Sequence, residues 1–401
     1  MKIVMITNLY PPLVRGGAEV VAARMAEGLS NHLQQVVVVT TMPFASWHSF
    51  SIHQSNESGI TIYRFFPLNV FYYLNIARYG YGTRFLWRIL DIFNLHSLVQ
   101  VARILNREKP DVVITHNLTG MGMLHPILLA CMRIRHIHLV HDVQLVAPSG
   151  VIMLGKEFGA SQGVYAYTGY VWLMRFIFSK VRTVISPSQF LLTFYTRYGF
   201  FRSAKKIILQ NPIAQPRRFR IPNRTGHLRL LYVGSVSRAK GVALLLNALR
   251  AIPHAAAVLN IVGTVVQSQE LRTIAGDDRR ITFHGWVGSS AVEQMLVESD
   301  ILVVPSILYD NSPTVVYEAL SHGVPVLVSD LGGAQEAVQQ DVNGWVFPAG
   351  DQAALSKIIL DLSQDRHRVE RAACGSIPSI AACTVERYTG QLLTVIQNDT
   401  P

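Results

Sequence analysis

Two acidic residues flank a short stretch that has the features of a helix start. Asp310 precedes Ser312 and Pro313, and Glu318 lies within the helix that these two residues predict. Serine often caps the free N–H groups of a helix, and proline suits the first helical position because it has no N–H to leave unpaired. Free N–H groups and the positive end of the helix dipole attract an anion. The sequence therefore predicts an anion site beside Ser312, with a carboxylate on either side.

The two carboxylates would repel that anion, so they need another role. We expect Asp310 and Glu318 to accept hydrogen bonds from hydroxyl groups on the molecule that carries the anion. A diphosphate at the helix start and hydroxyl groups at the acids would suit a sugar nucleotide. For the acidic pair alone an alternative stays open, because acids near a first helical turn also stabilise the helix dipole without any ligand.

A second helix start in the same half supplies a cation. The predicted strand that ends at Gly234 is followed by Lys240 and Gly241, where a helix begins. A lysine at this place, opposite the helix that begins at Ser312, would complete a diphosphate site without a metal ion. A solvated surface lysine is the alternative.

The acidic and histidine spacings do not suggest a metal site. The sequence has no D-x-D pair, and the nearest acids, Glu298 and Asp300, precede a predicted strand and so belong to the wrong end of its sheet. His136 and His138 share one face of a strand, but no further ligands stand at metal-binding spacing. We therefore expect neither a metal nor another cofactor.

Polar residues follow two predicted strands of the first half. His116 and Asn117 follow the strand Asp111–Thr115, and His141 follows the strand Ile137–Val140. Parallel α/β proteins place their ligands just beyond the carboxyl ends of strands. A lone histidine there is also commonly a structural hydrogen-bonding group, so both interpretations stay open.

A glycine pair lies near the amino terminus. Gly16 and Gly17 stand where a helix begins after the first predicted strand, and Glu19 falls in the first turn of that helix. Adjacent glycines let a ligand approach the backbone closely, although such a pair is often only a turn. The sequence has no G-x-G-x-x-G, which argues against a dinucleotide site.

Length and element order indicate two α/β domains. A chain of 401 residues exceeds one ordinary core. Strands and helices alternate in both halves, which predicts parallel sheets covered on both faces. We expect two similar Rossmann-like, doubly wound folds that face a central cleft. The segment 214–227 has prolines, arginines and no apolar period, which favours a linker between them.

The positive charge is concentrated in the first half. Residues 1–212 carry 20 Lys and Arg against 8 Asp and Glu, and the rest of the chain is nearly balanced. The segment 65–98 interleaves arginines with aromatic residues. Both features suit an anionic partner: phospholipid headgroups, a lipid-linked diphosphate or nucleic acid. A solvated basic surface and an ordinary helix pair are the alternatives.

Other features indicate a cytoplasmic protein. The three cysteines show neither disulfide nor metal spacing, and we identify no secretory signal and no apolar run of membrane-spanning length.

Several motifs resemble the retaining GT-B glycosyltransferases of family 4, also called glycosyltransferase group 1. The stretch DNSPTVVYEALSHGVPVLVSD is similar to their acidic signature, with Asp310 in place of the usual first Glu; its other matching residues are Glu318, Ala319, Gly323, Pro325 and Val326. GGAE at Gly16 is similar to their glycine loop, and VHD at His141 to the motif of their active-site histidine. Lys240 matches a diphosphate-binding lysine, whereas Ser235 replaces an arginine.

The resemblance implies a GT-B α/β fold in which the two domains bind different substrates. Residues 1–212 would bind the acceptor and residues 213–380 the nucleotide sugar, and the helix in 381–401 would cross back to the first domain. Catalytic roles fall to His141, Asp310 and Glu318, with His141 and Asp310 on the donor sugar and Glu318 on the ribose. The residues implied in nucleotide-sugar binding are Gly16, Gly17, Gly234, Lys240, Asn311, Ser312, Pro313, Thr314 and Glu318. His116 and Asn117 would lie on the acceptor side.

The sequence thus predicts a retaining, metal-independent glycosyltransferase that moves a hexose from a nucleotide-diphosphate sugar to a hydroxyl acceptor. A glycan or a lipid-linked precursor of a cell-surface glycan is the expected acceptor. We expect the enzyme in the cytoplasm, at the inner face of the cell membrane if its basic half binds anionic lipid, and we do not expect nucleic acid as a partner. Alternatives on the same fold are a sugar-nucleotide epimerase or a phosphorylase, and a third is a non-catalytic basic protein that binds membranes or nucleic acid.

Overall fold

The computed structural model describes residues 1–155, 164–216, 218–222, 226–264 and 268–398. The chain forms two compact units. Unit 1 comprises the described residues of Met1–Gly150, Ala160–Pro212 and Val385–Pro401, and unit 2 those of Val151–Gly159 and Ile213–Thr384.

Unit 1 contains a sheet that is parallel except at one edge. Its strands are β1 Lys2–Ile6, β2 Gln35–Thr41, β3 His53–Glu57, β4 Ile60–Phe65, β5 Val112–Thr115, β6 His136–Leu139, β7 Thr183–Ser186 and β8 Lys205–Ile208. The spatial order is β3-β4-β2-β1-β5-β6-β7-β8, and only the edge pair β3–β4 is antiparallel. Strands β1, β5, β6 and β7 are continuous apolar or buried runs, as expected for strands covered on both faces.

Helices connect these strands. They are α1 Gly17–Asn31, α2 Tyr81–Ile92, α3 Leu95–Glu108, α4 His125–Cys131, α5 Val164–Phe178 and α6 Gln189–Arg197. Short 3-10 turns occupy Trp47–Phe50 and Tyr73–Arg78.

Unit 2 contains a fully parallel sheet. Its strands are β9 Leu228–Val233, β10 Ala257–Val262, β11 Ile281–Gly285, β12 Ile301–Val304, β13 Val326–Ser329 and β14 Gly344–Phe347, in the order β11-β10-β9-β12-β13-β14. Its helices are α7 Val242–Arg250, α8 Ser268–Ala275, α9 Ser289–Glu298, α10 Thr314–Ser321, α11 Gln352–Gln364 and α12 Arg366–Ser379, with 3-10 turns at Ala334–Ala337 and Ala381–Cys383.

Each face of the unit 2 sheet has its own core. Alternate residues of one strand divide between the faces: Leu230 and Tyr232 of β9 join the core formed with α7 and α11, whereas Leu231 joins the core formed with α10. Side chains of successive strand residues point to opposite faces, so helices on both sides are needed to bury them. The predicted doubly wound arrangement is confirmed for this unit.

The last helix, α13 Val385–Asn398, belongs to unit 1. Its residues Tyr388, Leu392 and Ile396 are buried in the same core as α1. Gly28 of α1 makes this contact close, because a Cβ there would lie 2.2 Å from the hydroxyl oxygen of Thr389.

The segment expected to be a linker is partly anchored in unit 2. Arg220 is buried and its guanidinium donates to the carboxylates of Asp300 and Glu370. Residues 217 and 223–225 of that segment lie outside the described residues. No helix in the described ranges has the length and hydropathy of a membrane span.

Candidate active site

An ion pair lies at the carboxyl edge of the unit 2 sheet. The Nζ atom of Lys240 lies 2.7 Å from each carboxylate oxygen of Asp310. The hydroxyl of Ser306 donates to the same carboxylate at 2.9 Å. The sequence prediction assigned Lys240 to a diphosphate and Asp310 to a sugar. The structure shows that the two side chains are direct partners.

Glycine makes the approach of these loops possible. Gly241, with φ at 76°, follows Lys240, and a Cβ there would lie 1.7 Å from the carbonyl oxygen of Pro305. Gly332, with φ at 80°, would bring a Cβ to 2.1 Å from the carbonyl oxygen of Asp310. Both positions therefore require glycine for conformation and for space. The turns that carry Lys240 and Asp310 are thus packed tightly against their surroundings.

The helix beside this pair begins later than predicted. Helix α10 starts at Thr314 with Pro313 as its capping residue, so Ser312 is not the cap and Pro313 is not the first helical residue. The physical reason lies in the backbone, because Pro313 has a φ of −61° and a ψ of 118° and is therefore extended rather than helical. The Ser312 hydroxyl donates to the hydroxyl of Tyr317 at 3.2 Å. Ser312 is buried, whereas Pro313 and Thr314 are half-buried at the helix start.

The other predicted residues of this half lie on the same elements. Asn311 is buried in the loop before α10, and Glu318 is half-buried within α10. Gly234 directly follows β9, and its backbone carbonyl comes so close to Gly263 that a Cβ on Gly263 would lie 1.7 Å from it. Arg238, a nearby cation that could have replaced the missing arginine at Ser235, pairs with Glu270 at 2.9 Å.

In unit 1 two histidines meet at the carboxyl ends of neighbouring strands. The Nδ1 atom of His116 lies 2.9 Å from Nε2 of His141, and the two rings stack with centroids 5.1 Å apart. Burial lowers the pKa of His141 to about 4 and holds that of His116 well below its usual range. Both rings are therefore neutral at pH 7. His116 has 1% of its surface exposed, so its contact is with His141 rather than with solvent.

A polar network continues from His141. Asp142 accepts a hydrogen bond from the backbone N–H of Gln144 at 2.9 Å, and the Gln144 side-chain amide donates to Asn117 at 2.7 Å. Thr119 hydrogen bonds to Gln144 in turn. Burial raises the pKa of Asp142 to about 6, although the hydrogen bond from Gln144 opposes this shift.

The glycine pair lies at the start of α1, as predicted. The backbone N–H of Gly16 donates to the Glu19 carboxylate at 2.8 Å, and Gly17 is the first residue of the helix. Burial raises the pKa of Glu19. The charges of Glu19 and Arg15 both act on Asp142, which brings this loop and the His141 strand end into one electrostatic environment.

Asp300, one of the two acids nearest to a metal-binding pattern in the sequence, forms ion pairs with arginines. Asp300 is fully buried and its carboxylate accepts hydrogen bonds from Arg220, Arg229 and Arg366 at 2.8–2.9 Å. Burial alone would raise its pKa, but the hydrogen bonds from Arg229 and Arg366 leave the pKa below its usual range. In the described part of the chain no group of three or more His, Cys, Asp or Glu residues is arranged to hold a metal.

Sequence reasoning missed several members of these networks. Ser306 bonds to Asp310, while Gln144 and Thr119 extend the network of Asp142. The only feature of the sequence that could have identified these residues is their position. Each lies within a few residues of the end of a strand that the apolar pattern predicts correctly. Serine, threonine and glutamine are too common after strands for that signal to single them out.

Comparison with known proteins identifies the family. Residues 227–365 match the family described as Glycosyl transferases group 1, and residues 16–211 match the one described as Glycosyl transferase 4-like domain. The matched ranges contain Lys240, Asp310 and His141. The chain belongs to the group 1 glycosyltransferases. The prediction of a glycosyltransferase enzyme is confirmed.

Two relatives of this group 1 glycosyltransferase show the extent of the similarity. It is 23% identical to an uncharacterized glycosyltransferase of Methanocaldococcus jannaschii over 362 residues, which cover 87% of this chain and 85% of that protein. It is 28% identical to the amylovoran biosynthesis glycosyltransferase AmsK of Erwinia amylovora over 174 residues, 40% of this chain and 43% of AmsK.

A solved structure shows the same fold. Anabaena HepE in complex with UDP-glucose superimposes with a TM-score of 0.70 at 16% identity, over 99% of this chain and all of HepE. Together with the two parallel-sheet units, this likeness confirms the predicted GT-B fold of this group 1 glycosyltransferase.

Proposed function

We propose that this group 1 glycosyltransferase transfers a sugar from a nucleoside-diphosphate sugar to a hydroxyl acceptor, with retention of anomeric configuration and without a metal ion. The observation that carries the proposal is the Lys240–Asp310 pair next to the start of α10. A cation and a helix amino terminus together stabilise the charge that develops on a departing diphosphate.

The pair suggests how donor binding would redistribute hydrogen bonds. A diphosphate carries more negative charge than the Asp310 carboxylate, so it would compete with Asp310 for the ammonium group of Lys240. Asp310 would then accept hydrogen bonds from hydroxyl groups of the donor sugar, while Ser306 continues to orient its carboxylate. Glu318, four residues into α10, is proposed to bind the ribose hydroxyls.

The neutral state of His141 fits a hydrogen-bonding role on the donor sugar. Because burial lowers its pKa to about 4, the ring at pH 7 carries no positive charge, and one nitrogen is a donor while the other is an acceptor. Its Nε2 atom pairs with Nδ1 of His116, which orients the ring. We assign no side-chain base for the acceptor hydroxyl. In the proposed mechanism, the proton of that hydroxyl passes to the leaving phosphate as the new glycosidic bond forms on the same face.

The donor and acceptor classes are supported by the relatives. HepE binds UDP-glucose, and AmsK serves in amylovoran biosynthesis. We therefore propose a nucleotide-hexose donor and a growing polysaccharide or lipid-linked glycan as the acceptor.

The surface of unit 1 supports a peripheral association with the inner face of the cell membrane. Tyr81 and Phe85 of α2 are 91% and 68% exposed, and Arg84 and Arg88 lie on the same helix. Exposed rings beside arginines suit the boundary between lipid headgroups and acyl chains.

A thermal-shift screen tests the donor site directly. UDP-, GDP- and ADP-sugars are compared on the parent protein, on Glu318→Gln and on Glu293→Gln, a matched control on α9 of the same unit. We expect one nucleotide class to raise the melting temperature of the parent and the control, and the shift to be lost in Glu318→Gln. Equal shifts in all three proteins would remove Glu318 from the site.

Product analysis then tests the chemistry. We expect the identified donor to give a glycoside of unchanged anomeric configuration by NMR, with the rate unaffected by EDTA. An inverted product, or a rate that EDTA abolishes and Mg²⁺ restores, would overturn the retaining, metal-independent proposal.

A further inference from the structure

A cavity lies at the amino ends of β6 and β7 in the unit 1 sheet. It has a volume of about 420 Å³ and is lined by the side chains of Arg133, Arg135, His136, Lys180 and Arg182, together with residues of α4. Arg133 and Arg135 precede β6, and Lys180 and Arg182 precede β7, which is the parallel neighbour of β6. The amino ends of parallel neighbours share one sheet edge, whereas His116 and His141 follow the carboxyl ends. The cavity is therefore separate from the site described above.

The charged side chains that line this cavity are all positive among the described residues. Four of its lining residues are cationic, and none of the described lining residues is Asp or Glu. Within the described ranges, the side chains of Arg133, Lys180 and Arg182 make no hydrogen bond or ion pair. The Arg135 guanidinium donates to the carbonyl of Ile396 in α13. Like charges that converge on a concave surface repel one another and raise the local positive potential. A bound anion would relieve this repulsion.

A buried histidine provides an independent indication of a ligand. His136 lines the cavity with 5% of its surface exposed, and its Nε2 atom lies 2.7 Å from the Thr115 hydroxyl. Its Nδ1 atom has no hydrogen-bond partner among the described residues. Buried polar atoms in folded proteins are nearly always paired, and an unpaired one calls for a partner that the chain itself does not supply.

We propose that this cavity is a binding site for a phosphate-bearing anion. Guanidinium groups match phosphate oxygens with paired N–H donors, and lysine adds a mobile point charge. A cavity of this volume lies in the range of small-ligand pockets and would hold a di- or triphosphate group with part of its organic substituent. The anion could be a free phosphorylated metabolite or the headgroup of an anionic phospholipid, because both present the same phosphate chemistry.

Calorimetric titration of the full chain with sodium tripolyphosphate tests the site. The test variant is Arg133→Gln/Arg182→Gln, and the charge-matched control is Arg103→Gln/Arg197→Gln, which removes two exposed arginines of unit 1 away from the cavity. We expect the test variant to weaken binding at least about tenfold, the control to change it less than about twofold, and the Kd to rise with NaCl. Equal weakening of binding in the test and control variants would show that binding depends only on the net charge of the protein, and it would overturn the proposal.

The donor site also takes phosphates under the proposed function, so a third variant separates the two sites. Lys240→Gln is expected to keep the tripolyphosphate binding that Arg133→Gln/Arg182→Gln loses. If instead Lys240→Gln abolishes binding and the double variant retains it, tripolyphosphate occupies only the donor site and the cavity proposal fails while the proposed function stands.

Vesicles distinguish the two sources of the phosphate. Sedimentation with phosphatidylglycerol vesicles, with phosphatidylcholine vesicles as the reference, is measured with and without tripolyphosphate. Vesicle binding that depends on Arg133 and Arg182 and is displaced by tripolyphosphate assigns the site to lipid headgroups. Binding of tripolyphosphate without vesicle binding through these residues assigns it to a free anion. Binding of neither overturns the proposal.

Discussion

Replacing Lys240 by Gln should separate its structural role from its catalytic role. The Nζ atom lies 2.7 Å from both oxygens of Asp310, and the side chains of Lys240 and Asp310 are 30% and 20% exposed. A charged hydrogen bond contributes about 1.5–3 kcal/mol when buried, and an exposed ion pair about 0–1 kcal/mol. For this partly exposed pair we expect the free energy of unfolding to fall by about 1 kcal/mol. In a domain of this size the melting temperature would then drop by about 2–4 °C.

The expected effect on catalysis is much larger. Loss of one group that stabilises charge in a transition state lowers kcat by about 100- to 1000-fold, which corresponds to about 2.7–4 kcal/mol. Initial rates measured well below the melting temperature, with the donor that the thermal-shift screen identifies, give kcat and KM for the parent and for Lys240→Gln. Circular dichroism melts of the same samples give the stability change.

Lys357→Gln is the matched control, since Lys357 is an exposed lysine of α11 in the same unit. It should leave both kcat and the melting temperature essentially unchanged. If Lys240→Gln lowers the melting temperature as expected but keeps kcat within about threefold of the parent, Lys240 serves only to hold Asp310. The proposed diphosphate role would then be refuted.

Three further predictions follow from the packing and charges of the structure. Asp300→Asn should lower the free energy of unfolding by about 3–5 kcal/mol in urea titration, because three arginines would lose a fully buried carboxylate; a loss under about 1 kcal/mol would contradict this account. Gly241→Ala should lower both stability and activity, with at least about 1–2 kcal/mol from the left-handed conformation alone, and an unchanged melting temperature would show that the turn relaxes freely. The melting temperature should also fall from pH 7 to pH 5. Burial lowers the pKa of six histidines below the ordinary 6.5, so the unfolded chain binds their protons first and stability is lost as the pH falls through that value. These are His96, His116, His125, His136, His138 and His141. Burial raises the pKa of Asp91 to about 7, that of Asp142 to about 6 and also that of Glu19, which acts in the opposite direction. The six histidines outnumber these three carboxyl groups, so we expect a net uptake of protons on unfolding at pH 5. Calorimetry in buffers of different ionisation enthalpy measures that uptake, and a melting temperature that rises towards pH 5 would contradict the assignment.

Much of the fold could be predicted because its signals are local. The strands β1, β5 and β12 are short apolar runs between polar or glycine-containing turns, and such runs indicate strands buried on both faces. The antiparallel edge strand β3, His53–Glu57, escaped prediction because it is largely polar and mostly exposed. The helix α12 escaped as well, since its apolar residues are sparse and Pro378 lies near its end.

Residues of the candidate site could be predicted from the sequence, but the contacts between them could not. The sequence identified Lys240, Asp310 and His141 as candidate site residues because each follows a predicted strand. It did not show that Lys240 binds Asp310 across 70 residues, or that His116 is buried against His141. The cap assigned to Ser312 was wrong because Pro313 has an extended backbone, so the helix begins one residue later than the residue types indicate.

The sequence by itself determined the alternation of strands and helices, the glycines at the turns and the unequal distribution of charge. These properties depend on residue type and on spacing along a few turns of chain. Only the tertiary structure decided which distant side chains are partners, including the Lys240–Asp310 pair and the four cations around His136. The physical reason is that such contacts depend on which strands become neighbours in the sheet, and strand order is set by the packing of the whole unit rather than by any one segment.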